Sequence, residues 1–259
     1  MKRLLATAGL FVCACDEPAA GQGTLRITAW GEGFIEQGIP AETFVDGWSV
    51  TFDAFLVSVE AVEAEGNSLP GTYVLDLAQP SGGAGHELGL LTVSAGRPAR
   101  LSWSVSAAVE DAVTDVEDDV LETMVGAGAA VWARGVAIRG TETKTFDWAL
   151  DIPSRYTDCQ VEGPSKGGET SDAVLTVHAD HLFYDDLDSQ DPHVAFGLIA
   201  AADSDGDGAV TLAELKAQSL SGQARYQVGG REIDNLYGFV LAQAGTVGHI
   251  NGEGHCATE

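Results

Sequence analysis

The chain has 259 residues, 45% of them hydrophobic, which is ample for a packed core and excludes disorder as its main state. Its formal net charge of −26 excludes nucleic-acid binding as a main role, because phosphate backbones would be repelled, and favours cations as ligands. Thirty-two glycines point to turns and short strands rather than a helix bundle.

At the N-terminus, Lys2 and Arg3 form a short basic stretch before an apolar run at residues 4–12. That run is too short to span a bilayer, so residues 1–14 read as a cleaved export signal. Val12-Cys13-Ala14-Cys15 resembles a bacterial lipobox. The resemblance implies cleavage before Cys15 and a lipid on it, so that an exported protein, periplasmic or at the cell surface, meets the membrane only through this anchor. Plain secretion, with cleavage shortly after Ala14 or near Ala20, is the other reading. Losing Lys2 and Arg3 leaves 11 basic against 39 acidic residues, a net −28. Residues 15–23 then form a lipidated tether. With Cys13 removed and Cys15 modified, Cys159 and Cys256 remain, and two cysteines in an exported chain most simply make one disulfide. Such a closure stabilises by roughly 4–5 kcal/mol in the chain-entropy model. Metal ligation by the two free thiols is the alternative.

Residues 24–180 carry period-2 patterns that predict half-buried strands. Leu25, Ile27 and Ala29 alternate with polar neighbours, as do Leu101, Trp103 and Val105, and Phe146, Trp148, Leu150 and Ile152. A run from Trp48 through Val50 and Phe52 changes phase to Phe55, Val57 and Val59, which predicts a β-bulge. Residues 73–77, 87–94, 130–138 and 173–178 add further strands. The expected architecture is an antiparallel, immunoglobulin-like β-sandwich. One helix interrupts it, with Val109, Val113, Val116, Val120 and Met124 at three- and four-residue spacing and a solvated acidic face.

Residues 181–259 read as a helical calcium-binding region. Residues 193–202 and 212–218 flank the segment Asp203-Ser204-Asp205-Gly206-Asp207-Gly208-Ala209-Val210-Thr211-Leu212-Ala213-Glu214, and an apolar stripe from Ile233 to Leu241 marks a last helix. The twelve-residue segment resembles the EF-hand loop family. The resemblance implies a Ca²⁺ ion held by side chains of Asp203, Asp205 and Asp207, the Ala209 carbonyl, Thr211 directly or through water, and a bidentate Glu214. Gly208 stands where the chain must turn with positive φ. No second such loop occurs, whereas sensor EF-hands come in pairs. A single structural helix–loop–helix of weak affinity, about 10⁻⁴ to 10⁻³ M, is therefore expected. Asp185, Asp186, Asp188 and Asp191 are a lesser candidate for calcium, lacking the glycine of such loops.

Five of six histidines lie at or beyond His178. If Cys159 and Cys256 pair, the tail is held near the sandwich, and His178, His181, His249 and His255 become candidate ligands for copper or zinc. Hydrogen-bonded or surface histidines are the plainer alternative. From Gly23 through Cys159, the strand order and the run TFDW (145–148) leading to RYTDC (155–159) are similar to β-sandwich lipoproteins of Gram-negative bacteria, including copper-associated MbnP-type periplasmic proteins. This similarity carries no ligand across; it adds weight to metal handling. No nucleophile elbow, Walker loop or dinucleotide fingerprint is present, so catalysis is not expected. Two functions follow: a calcium-binding structural or ligand-binding lipoprotein of the cell envelope, its partner not legible, or a periplasmic handler of copper or zinc.

Overall fold

The computed structural model describes residues 21–258; the expected signal peptide, Cys15 and most of the tether lie outside the described residues. In chain order the elements are β1 (Gln22–Trp30), α1 (Glu32–Glu36), β2 (Ser49–Ala64), β3 (Asn67–Ser68), β4 (Tyr73–Asp76), β5 (His86–Ser94), β6 (Ala99–Val105), β7 (Val113–Thr114) and α2 (Asp118–Gly126). There follow β8 (Val131–Arg139), β9 (Glu142–Leu150), β10 (Ser154–Val161), β11 (Thr170–Val177), a 3₁₀ turn (Ala179–Phe183), α3 (Gly197–Ala201), β12 (Ala209–Val210), α4 (Leu212–Ala217), α5 (Leu236–Ala244), β13 (Gly248–Ile250) and β14 (Ala257–Thr258). Among the described residues no helix is long and apolar enough to cross a membrane.

The protein is mainly β. Alternation in sequence becomes alternation in burial: Leu25, Ile27, Leu101, Trp103, Trp148 and Leu150 are all fully buried, while neighbours such as Arg26 and Asp147 face outward, Thr28 being a buried exception. A smaller sheet has the order β13-β11-β1-β5, and a larger one runs β12-β9-β8-β2-β6-β10-β14, with β3 and β4 on β2 and β7 on β4. Buried residues of both sheets join one core. The phase change in β2 is a register shift between Phe52 and Ala54 against β8.

The wholly antiparallel, immunoglobulin-like expectation is corrected: the sheets are mixed. β1 runs parallel to β11, β12 to β9, and β4 to β7. None of these pairs is joined by a hairpin; the long chain between β1 and β11 permits the parallel crossing that a short turn forbids. The helix expected over 109–124 begins only at Asp118. Its first half is drawn instead into β7, where the Thr114 hydroxyl donates to Val74 O at 2.7 Å, and Val113 remains exposed. The C-terminal region is sewn into both sheets, through β13 in the smaller and through β12 and β14 in the larger.

Candidate metal centre

Four of the predicted histidines meet at one end of the smaller sheet. β11 ends at Val177 and delivers His178, whose backbone N–H donates to Val247 O at 2.9 Å. The 3₁₀ turn that follows carries Asp180 and His181. β13 pairs with β11 so that His249 lies across from Thr176. That pairing depends on Gly248, because a Cβ there would strike the Tyr156 ring, which itself stacks on Trp103 at 4.5 Å. Tyr156 also holds the strand's entry, accepting from Gly248 N and donating to Gly245 O, both at 3.1 Å. His255 arrives from the tail, next to Cys256, which is disulfide-bonded to Cys159 across 97 residues. The disulfide overturns the free-thiol alternative.

The ring centroids lie 4.4 Å apart for His178 and His249, 5.6 Å for His178 and His181, 5.2 Å for His181 and His249, and 5.4 Å for His249 and His255. One ligand atom from each of His178, Asp180 and His181 lies within 4.8 Å of the others, and the same holds for His178, His249 and Glu253. His181, His249 and Glu253 border a cleft of about 620 Å³, lined also by Tyr184, Gln243 and His255; His178 and Asp180 are buried beside them.

One hydrogen bond fixes the tautomer of His181. The Thr246 hydroxyl has one proton and donates it to Gln243 O at 2.8 Å, so it accepts from His181 Nδ1 at 2.9 Å. His181 therefore carries its ring proton on Nδ1, which leaves the Nε2 lone pair available. His178 Nε2 and His249 Nδ1 are buried without a hydrogen-bond partner, and so is Asp180 Oδ1. Burial, then the neighbouring imidazole of His178, pushes His181 down to about 3. Burial, followed by His178, His181 and His255, does the same to His249, to about 3. Both rings are thus neutral, the state that ligates a metal. Burial raises the Asp180 carboxyl above its ordinary value; its Oδ2 accepts from Tyr184 Oη at 2.9 Å. The donor set is imidazole with carboxylate, without thiolate, which suits zinc or copper(II).

The acidic loop lies on the other sheet. Gly206 and Gly208 have φ of +74° and +89°. Asp203 Oδ1 accepts from Gly206 N at 2.8 Å and Oδ2 from Gly208 N at 3.0 Å. Asp205 accepts from Asp207 N and Asp207 from Ala209 N, at 3.1 and 2.7 Å. Asp203, Asp205 and Glu214 can each place an oxygen within 4.8 Å of the others; Asp207 is not in that group. Thr211 caps α4 in a reciprocal box with Glu214, and its hydroxyl donates to Glu214 Oε2 at 2.9 Å. Glu214 Oε1 accepts from Ser204 N, also at 2.9 Å. These backbone bonds, Thr211 first, hold the Glu214 carboxyl below its usual range. The flanking helices are short, five residues in α3 and six in α4.

The lesser acidic candidate is already engaged. Asp185 pairs with Arg225 at 3.2 Å and accepts from His193 N, Asp186 accepts from Asp188 N and Ser189 N, and Asp188 pairs with Arg231 at 2.6 Å. Sequence reasoning missed Thr246, Tyr184 and Glu253 at the cleft. A lone threonine 65 residues from the histidine it orients leaves no spacing signal. It also missed Lys144, whose Nζ lies 2.6 Å from Asp203 Oδ2. No family model matches the chain, and neither a curated protein nor a solved structure matches it.

Proposed function

We propose that the protein is a metal-binding module of the bacterial cell envelope, exported and anchored through Cys15, whose histidine cleft takes one copper or zinc ion. The reading rests on His178, which is shared by two candidate ligand groups, one with Asp180 and His181 and one with His249 and Glu253, and on the buried Nε2 of His178 and Nδ1 of His249, which have no hydrogen-bond partner. Leaving a buried polar atom unsatisfied costs about 1–3 kcal/mol, a cost that coordination removes. His178, His181 and His249 would be the principal ligands, with His255, Asp180 or Glu253 completing the shell. The role is one of holding an ion at a site exposed along one side through His255. Metal analysis of protein purified without chelator tests it. One equivalent of copper or zinc is expected, lost in His178→Ala. Absence of both metals, and no uptake on reconstitution, would refute the reading.

A second ion is supported by a separate observation, the juxtaposed oxygens of Asp203, Asp205 and Glu214 around a glycine with φ of +89° at Gly208. We propose that Ca²⁺ binds there as a structural ion, with Asp207, the Ala209 carbonyl and Thr211 or its water as remaining ligands. Calcium should raise the melting temperature of the wild type, and Glu214→Gln should remove most of that rise.

A further inference from the structure

The acidic loop has no sister loop to pair with, yet its short strand is not unpaired. β12 runs parallel to β9, with Ala209 opposite Thr145 and Val210 opposite Phe146. Thr145 N donates to Gly208 O at 2.8 Å, and the fully buried Trp148 donates from Nε1 to Val210 O at 2.8 Å. The edge of the sheet thus takes the place of a partner loop. The pose of the loop is fixed by these backbone bonds and by Leu215 of α4, which is fully buried.

The same edge strand contributes a cation. Lys144 precedes Thr145 in β9, and its ammonium lies 2.6 Å from Asp203 Oδ2. The Asp203 side chain is fully covered and that of Lys144 only 15% exposed, so solvent screens this pair less than a surface pair. The ammonium uses the same oxygen that accepts from Gly208 N, while Oδ1 carries only the Gly206 bond.

Building on the calcium reading, we propose that Lys144 is a built-in cation of the loop, which relieves the repulsion among its carboxylates when Ca²⁺ is absent and sets its affinity for Ca²⁺ low. Asp203, Asp205, Asp207 and Glu214 bring four negative charges close together; with no counter-charge they repel one another and the ion-free loop is under strain. One ammonium on the first carboxylate relieves part of that repulsion. It also repels an arriving divalent ion across a few ångströms, and this lowers the gain from binding. Because the backbone ladder and Trp148 hold the loop independently of Lys144, removing the charge leaves the ligands in place. Affinity should then rise rather than fall. Calcium binding at such a site adjusts stability and does not drive a large opening.

The test compares full-length wild type with Lys144→Met by calcium titration against a chromophoric chelator and by thermal melting in chelator. Lys144→Met should bind Ca²⁺ at least tenfold more tightly and melt at a lower temperature when ion-free. Lys166→Met, which removes an exposed lysine elsewhere, should change neither. Should Lys144→Met fail to fold, Lys144→Gln keeps a hydrogen-bond donor to Asp203 without the charge and should show the same tightening. Calcium affinity that is unchanged or weaker in the folded variant would overturn the role of Lys144. No uptake by wild type or variant at millimolar Ca²⁺ would overturn the calcium reading itself, an outcome distinct from the first.

Discussion

The two candidate metal centres are built in opposite ways. The acidic loop draws all its ligands from residues 203–214, and each carboxylate already accepts from a neighbouring backbone amide. The histidine cluster draws its candidate ligands from two segments some 70 residues apart and leaves two buried nitrogens, on His178 and His249, without a hydrogen-bond partner. The local candidate site is already satisfied by its own backbone, so in the proposed reading an ion is an addition to it rather than a need. A site assembled by tertiary structure, with buried imidazole nitrogens left unpartnered, would meet its hydrogen-bonding or coordination need through an ion in the proposed reading. The loop is thus suited to a structural ion and the cleft to a tightly held one.

Several perturbations would break or sharpen this contrast. Reducing the Cys159–Cys256 disulfide should have the largest effect, up to roughly 4–5 kcal/mol in the chain-entropy model. It should loosen His255 and weaken copper or zinc binding, while calcium still raises the melting temperature of whatever remains folded. Calorimetry with and without reductant measures both. His178→Ala should lower transition-metal affinity by more than the roughly 10–100-fold typical of changing a ligand's outer hydrogen-bond partner. Thr246→Val removes only such a partner of His181, so it should fall within that range of about 10–100-fold, with calcium binding untouched.

A pH titration separates the sites next. His181 and His249 are held down to about 3 in the folded protein, against about 6.5 for an ordinary histidine. Below pH 6.5 the unfolded chain therefore binds more protons than the folded one, and stability falls as pH falls. The metal-free protein should melt lower at pH 5.5 than at pH 7.5. A His181→Gln/His249→Gln variant should lose much of that difference. The smallest effect belongs to Glu214→Gln. Glutamine keeps one acceptor for the capping box with Thr211 but cannot accept from Ser204 as the second carboxylate oxygen does, so ion-free stability should fall only modestly. Most of the calcium-dependent gain, about 1.4 kcal/mol at ten times Kd, should be lost.

The difference in construction also determines what could be read from sequence. Contiguous candidate ligands leave a spacing, so the positions of Asp203, Asp205, Gly208 and Glu214 in one turn-rich loop could be expected before any fold was known. The bulge in β2 was legible for the same local reason, since moving the apolar face from Phe52 to Phe55 requires one extra residue in the strand. The gathering of His178, His181, His249 and His255 could only be inferred through the cysteine pair that returns the tail. Their individual roles came from Thr246 and Gln243, which no spacing ties to them. Strand direction was the least legible feature, because alternation reports which face is buried and not which way a neighbour runs. The helix expected from 109 failed where a backbone partner on β4 competed for Val113 and Thr114. Lys144 sits in β9, 59 residues before Asp203, and the loop motif does not reach it.

The most direct measurement is a calorimetric titration of chelator-stripped, oxidised protein with Zn²⁺ in the presence of saturating Ca²⁺. One equivalent should bind, with calcium neither displacing it nor changing its stoichiometry, and binding should disappear in a His178→Ala/His249→Ala variant. Uptake that calcium competes away, or that survives loss of both histidines, would contradict a transition-metal centre in the cleft.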